Sequence, residues 1–181
     1  MRIIAGTLKG RHLNTLKGQT IRPTSDKVKG AIFNVLNTRV REARVLDLFA
    51  GTGSLALEAL SRGAASALLV DAGRRSAQLI RDNITHLGVA GQAVVVHEDA
   101  RRFLHRYAGE AFDLVFLDPP YHHGLPQIIL PELSGKVSPP GVIVAETAKD
   151  EIFPADPFEI RIVREYGGSK VWFLQHPDTN V

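Results

Sequence analysis

The residues best equipped for chemistry are Asp118-Pro119-Pro120-Tyr121, which close the apolar run Phe112-Asp113-Leu114-Val115-Phe116-Leu117. A strand ending in this way presents a carboxylate acceptor, free backbone carbonyls and a flat stacking surface. Proline fixes φ and donates no hydrogen bond, so the carbonyls of this stretch stay available to a ligand. A planar substrate with an exocyclic amino group fits it: the amine donates to Asp118 and to the Pro119 carbonyl while its ring stacks on Tyr121. The nitrogen lone pair is then directed out of the ring plane toward an electrophilic carbon, as amino-group methylation requires. The plainer alternative is a strand-ending turn, since Asp and Pro are common turn residues.

A second segment bears on that choice. Val45-Leu46-Asp47-Leu48-Phe49 reads as a buried strand, Ala50-Gly51-Thr52-Gly53 follows at once, and Ser54 to Leu60 has the apolar recurrence of a helix stopped by Gly63. Strand, glycine turn and helix bring backbone N–H groups close to a nucleotide-like ligand. The loop lacks the third glycine of the dinucleotide fingerprint, which points to a ligand without a pyrophosphate. The next strand, Ala67-Leu68-Leu69-Val70, ends in Asp71. An acid there can accept from both ribose hydroxyls, or cap the following helix, or do both.

These residues need elements to position them, and the pattern supplies strand–helix units. Strands are predicted at 45–49, 67–71, 93–97, 112–117 and 142–146, with helices at 54–62, 74–87, 100–107 and near 125–134. Residues 158–164 alternate, Gly167-Gly168 follows, and Lys170 to Leu174 reads as a hairpin partner. Repeated βα units imply a parallel sheet covered by helices, to which the hairpin adds an antiparallel strand. Ahead of them, Arg2–Ala5 and Arg11–Asn14 flank Gly6 and Gly10 as a short β-hairpin. Thr24 or Ser25 can cap a helix running to about Thr38.

The charge is divided along the chain. Residues 1–44 hold ten Lys or Arg against Asp26 and Glu42, a net of +8, whereas residues 45–181 carry a net of −5. Phosphate backbones attract such a basic arm without regard to sequence, although a solvated surface hairpin has the same composition. The division is therefore 1–44 as a basic extension and 45–181 as the catalytic domain.

At 181 residues and 44% hydrophobic content the chain can bury a proper core, and it has no cysteine for disulfides, thiolate metal sites or a thiol nucleophile. No long apolar segment opens it and none approaches a membrane span, so a cytoplasmic location without membrane contact is expected. His122 and His123 lack metal-ligand spacing and read as the lip of a substrate pocket, and His97-Glu98-Asp99 reads as a strand end; no metal is expected.

On these residues the chain resembles the class I S-adenosylmethionine-dependent methyltransferases. More narrowly it is similar to the RsmD family, which methylates the exocyclic N2 of a guanine in bacterial 16S ribosomal RNA. The likeness rests on Arg22-Pro23-Thr24-Ser25-Asp26-Lys27-Val28, Ile32-Phe33-Asn34, Leu46 to Gly53, Leu57 to Ala64 and Asp118 to Tyr121, and spans Arg2 to about Gln175. It implies an α/β, Rossmann-like, seven-stranded sheet with the hairpin and helix as an N-terminal extension. It implies S-adenosyl-L-methionine as cofactor, held by Asp47, Phe49, Ala50, Gly51, Gly53, Asp71, Asp99 and Ala100. Within that set Asp99 and the Ala100 N–H would face the adenine, or Asp99 caps a helix. Asp47 would accept from the loop's N–H groups or reach the methionine amino group. Asp118, Pro119, Pro120 and Tyr121 would be catalytic, and Arg2, Lys9, Arg11, Lys17, Arg22, Lys27 and Lys29 would meet RNA. The implied partner is ribosomal RNA in the small subunit or an assembly intermediate, met by a monomer. The family usually carries Glu where this chain has Gly30, and glycine inside a helix costs about 1 kcal/mol against Ala. Two competing readings are an adenine-N6 or cytosine-N4 DNA methyltransferase and a non-catalytic RNA-binding factor that kept the fold.

Overall fold

A computed structural model describes residues 1–15 and 26–177. Lys17, Arg22 and the expected caps Thr24 and Ser25 lie outside the described residues. Seven strands form one sheet: β1 (Arg44–Leu48), β2 (Ser66–Asp71), β3 (Ala93–His97), β4 (Phe112–Leu117), β5 (Val137–Ala148), β6 (Glu159–Tyr166) and β7 (Ser169–Gln175). Their order is β3-β2-β1-β4-β5-β7-β6. The first five are parallel, and β7 pairs antiparallel with both β5 and β6. The parallel strands read as near-continuous apolar runs because both faces of the sheet are covered.

The two-residue alternation sorts side chains onto two cores. Val45, Leu69, Leu114, Phe116, Val142 and Val144 face one side, where α1 (Asp26–Leu36), α2 (Ser54–Ser61) and α3 (Arg74–Leu87) pack. Leu46, Leu48, Val115, Leu117, Ile143 and Ala145 face the other, against α4 (Ala100–Arg106) and α5 (Leu125–Leu133). Among the described residues, no helix is long and apolar enough to cross a membrane.

The N-terminal segment shares the first core through Ile3 and Leu13. It doubles back as expected, with one antiparallel bridge between Arg2 and His12 in place of regular strands. Gly6 adopts φ +81 against α2, and a Cβ there would fall 1.7 Å from the Ser61 carbonyl oxygen, so only glycine fits. The first helix ends at Leu36, earlier than expected, and passes into a 3₁₀ turn at Asn37–Val40.

Candidate active site

Strand order reverses between β1 and β4, and in open α/β sheets ligands bind at such a switch point, beyond the carboxyl ends of the strands. A cavity of about 590 Å³ opens there. It is lined from β1 by Phe49 and Gly51, from β2 by Asp71, Ala72 and Ser76, and from β3 by Asp99. From β4 come Asp118, Pro119, Pro120 and Tyr121, followed by Leu125 of α5. The two motifs that stood out in the sequence, sixty-odd residues apart, thus share one chamber.

The glycine loop is held open by its own bonds. Gly53 takes φ +77, and a Cβ there would press on Leu69 at 3.0 Å and Leu57 at 3.2 Å. Gly51 (φ +57) faces open space, its nearest Cβ contact being the Phe49 carbonyl at 3.9 Å, so the volume a side chain would fill is left to the cavity. Phe49 itself sits at φ 64, an uncommon conformation for an aromatic residue and one that concentrates at functional sites. The Gly51 N–H donates to Asp71 Oδ2 at 2.8 Å, and the Gly73 N–H donates to Asp71 Oδ1 at 2.8 Å. Asp71 is therefore a brace between two loops as well as a cavity wall. It does not cap α3, whose N-cap is Gly73 with no side-chain cap bond. Asp99 does cap: its Oδ1 accepts from the Arg101 and Arg102 N–H groups while the residue lines the cavity.

Asp47 is buried behind the loop and accepts from the Ala56 N–H in the first turn of α2, at 3.2 Å, instead of from the loop itself. Burial pushes its carboxyl up to about 7, against the pull of that N–H and with a smaller push from Asp71. Asp47, Ala50, Gly53 and Ala100 are not among the lining residues.

In the loop after β4, the Tyr121 hydroxyl donates to Glu146 Oε1 at 3.1 Å. Glu151 accepts from the His122 N–H at 2.7 Å and from the Ala148 N–H at 2.8 Å, tying the loop after Tyr121 to the end of β5. His122 and His123 are exposed and are not among the residues lining the cavity. Glu146, Glu151, Ala72, Ser76 and Leu125 were missed by the sequence reading. Glu146 had a signal, because Val142-Ile143-Val144-Ala145 ends in an acid just as β2 and β4 do. Among the described residues no group of three or more His, Asp or Glu side chains is placed to hold a metal.

The basic arm needs one correction. Lys29, read as an RNA contact, is fully buried: its ammonium donates to the Arg2 carbonyl and to Ser54 Oγ at 3.1 Å, and lies 3.5 Å from Glu58 Oε2. A long cationic side chain in a basic segment suggested solvent, but α1 turns this position toward α2. Arg2 is exposed and pairs with Asp26 at 3.0 Å, the exposed Arg11 donates to the His86 carbonyl, and Lys9 and Lys27 are exposed. At Gly30 a Cβ would meet Ile4 at 3.5 Å, an ordinary contact.

This sheet order, with its glycine loop and the acidic ends of β2 and β4 around one chamber, is that of a class I methyltransferase. The family model described as conserved hypothetical protein 95 matches residues 1–175, and the chain belongs to that family, the RsmD family. It is 38% identical over 167 residues to the ribosomal RNA small subunit methyltransferase D of Escherichia coli (strain K12), covering 91% of this chain and 83% of that one. Its likeness to the protein of the same name from Haemophilus influenzae is 37% over 155 residues, 83% of this chain and 80% of the other. The solved structure of the yhhF protein of Escherichia coli superposes with a TM-score of 0.87 at 34% identity, over 97% of each chain.

Proposed function

We propose that this protein transfers a methyl group from S-adenosyl-L-methionine to the exocyclic N2 amine of a guanine in 16S ribosomal RNA. The observation that carries the reading is that Phe49 and Gly51 of the glycine loop and Asp118–Tyr121 line a single cavity. The names of the relatives support ribosomal RNA of the small subunit as the substrate class.

The residues present fit the cofactor. Gly51 leaves room for it, Asp71 offers further lone pairs to ribose hydroxyls, and Asp99 keeps an acceptor beside the adenine end. When bound, the cofactor supplies an electrophilic methyl on a sulfonium whose departure leaves a neutral sulfide. The protein therefore has no developing anion to stabilise, and its task is alignment plus support for a nitrogen that becomes cationic. Asp118 and the Pro119 carbonyl hold the amine in plane, and Tyr121 fixes the ring. The Asp118 carboxylate gains interaction energy as the nitrogen gains positive charge. Alkylation makes the amine far more acidic, so the proton leaves to Asp118 or water without a dedicated base.

Labelled S-adenosylmethionine offered with naked small-subunit RNA, assembled small subunits or DNA tests the proposal. Label should appear as N2-methylguanine in one of the RNA arms. Label in DNA would support the adenine-N6 or cytosine-N4 reading, and none anywhere the binding-factor reading. Asp71→Ala should weaken cofactor binding by roughly 1.5–3 kcal/mol, the scale of hydrogen bonds to a charged group, as read by titration calorimetry. An unchanged dissociation constant would leave Asp71 only its brace between the loops.

The arm is proposed to position RNA. Replacing Arg2, Lys9, Arg11 and Lys17 together by Ala should raise the Michaelis constant for RNA and hardly move cofactor affinity. RNA binding should also lose salt dependence, by about 0.7–0.9 in the log–log slope per lost phosphate contact. Equal affinity and slope in the two proteins would reduce the arm to a solvated hairpin.

A further inference from the structure

A cavity suited to a cofactor and an amine is, by its charge, a poor host for RNA. Asp71, Asp99 and Asp118 all line it, and residues 45–181, which carry them, have a net charge of −5. A guanine seated there leaves its sugar and flanking phosphates at the mouth, where those carboxylates repel them. Such a site needs cations close by.

The described cations of the N-terminal segment stand elsewhere. The Thr7 N–H donates to the Ser61 carbonyl at the last residue of α2, and Arg11 donates to the His86 carbonyl in the last turn of α3. The cavity lies at the opposite end of both helices, where Gly51 precedes α2 and Ala72 precedes α3. From Arg74 to His86 the axis of α3 runs about 18 Å. Lys9 and Arg11 are thus far from a base in the cavity.

The catalytic body has cations of its own at that end. Arg74 and Arg75 stand between Ala72 and Ser76, and Arg101 and Arg102 follow Asp99, all three of these flanking residues being part of the cavity lining. The two pairs occupy the first turns of α3 and α4, which follow the neighbouring strands β2 and β3. All four arginines are exposed. Among the described residues none of their guanidinium groups is held in an ion pair, whereas Arg2, Arg44, Arg62, Arg106 and Arg161 each hold an acid. The acids nearest the four are engaged by other donors. Asp71 accepts from the Gly51 and Gly73 N–H groups, Asp99 Oδ1 from the backbone of Arg101 and Arg102, and Glu98 pairs with Arg106. Arginine's planar fork matches two phosphate oxygens at once, and phosphate contacts of this kind fix the register of a nucleic acid on a protein.

We propose that Arg74, Arg75, Arg101 and Arg102 form a phosphate-binding rim that holds the RNA backbone beside the target nucleotide. It offsets the carboxylates of the cavity at the place where the substrate must enter. This inference rests on the reading of RNA as substrate, and the test keeps the two apart.

Replacing the four arginines together by Ala should weaken binding of small-subunit RNA at least tenfold. The log–log salt slope should fall by about 0.7–0.9 per lost phosphate contact. Affinity for S-adenosylhomocysteine should stay within about twofold of wild type, the sign of an intact fold. Because the chain has no cysteine, Arg75→Cys and Lys9→Cys each provide a single thiol for a photo-crosslinker. Crosslinks from Arg75→Cys should fall on nucleotides next to the methylated one, which mass mapping locates, and those from Lys9→Cys at more distant positions. Unchanged RNA affinity and salt slope in the fourfold variant overturn the proposal. So do Arg75→Cys crosslinks that map away from the methylated nucleotide or, in assembled subunits, to protein alone, and this readout stands even if the fourfold variant fails to fold. Absence of methyl transfer to RNA by the wild type would overturn the function reading instead, and RNA affinity and its salt slope would still judge the rim.

Discussion

Replacing Asp118 by Ala is expected to abolish methyl transfer, lowering kcat by about 10²–10³ or to below detection, while cofactor affinity stays nearly intact. The expectation follows from where charge develops. The attacking nitrogen is neutral in the bound substrate and cationic once the new bond forms, so a carboxylate on it stabilises the transition state more than the ground state. Asp118 directly follows β4 and lines the cavity together with Phe49, Gly51 and Asp71, and under the proposed reading it meets the acceptor amine whereas Gly51 and Asp71 meet the cofactor. Its loss should therefore fall on turnover and spare the cofactor. Asp118→Asn keeps an acceptor oxygen and removes the charge, so activity between wild type and Asp118→Ala would apportion hydrogen bonding and electrostatics. Tyr121→Phe should keep most activity on guanine because the stacking face survives, whereas Tyr121→Ala should lose it. Titration calorimetry and turnover on the same preparations decide the matter. Unchanged turnover in Asp118→Ala would remove the residue from the chemistry.

The parts legible in the sequence are those governed by local pattern. The five parallel strands, the helices that follow four of them and the terminal hairpin form within a residue or two of the expected bounds, save that β5 begins earlier, at Val137. Buried parallel strands, glycine turns and helix stops are all written in short windows. Asp71, Asp99 and the Asp118–Tyr121 loop reach the cavity because each ends a strand in one parallel sheet, and such ends converge by construction. What the sequence hid are contacts between distant segments. The Tyr121–Glu146 bond joins the loop after β4 to β5, and the Glu151 brace ties that loop to the end of β5. Asn83, on α3, accepts from the Asn14 N–H and donates to the Asn14 and Thr52 carbonyls, linking the N-terminal segment to the glycine loop. Lys29 misled for the same reason, since residue type favours exposure and only the packing of α1 on α2 reverses it.

That packing leads to the largest stability effect expected here. Glu58 on α2 is fully buried and accepts from the Ile4 N–H at 2.8 Å, the Ala5 N–H at 3.0 Å and Arg62 Nε at 2.8 Å, with Lys29 Nζ at 3.5 Å. One carboxylate thus docks the N-terminal segment, α1 and α2 together. Glu58→Ala should cost roughly 3–5 kcal/mol, because it strands a buried ammonium and leaves two backbone N–H groups without an acceptor. Lys29→Met should cost less, since Glu58 then keeps three donors. The two variants also differ in their response to pH. Burial holds the Lys29 ammonium below the ordinary lysine range, against the pull of Glu58 and Asp26. The unfolded chain therefore binds this proton more tightly than the folded one, and stability from this group rises as pH climbs from the folded value toward the unfolded one. Lys29→Met removes that slope. Urea unfolding of wild type and both variants at pH 8 and at pH 10 measures each effect. Ser54, which opens α2 directly after the glycine loop, is bonded to Lys29, so undocking the segment should also weaken the cofactor side of the cavity. A loss below about 1 kcal/mol in Glu58→Ala, within the range of a surface ion pair, would mean that the segment is held by its apolar contacts through Ile3 and Leu13 and by its bonds to Ser61 and Asn83, without need of Glu58.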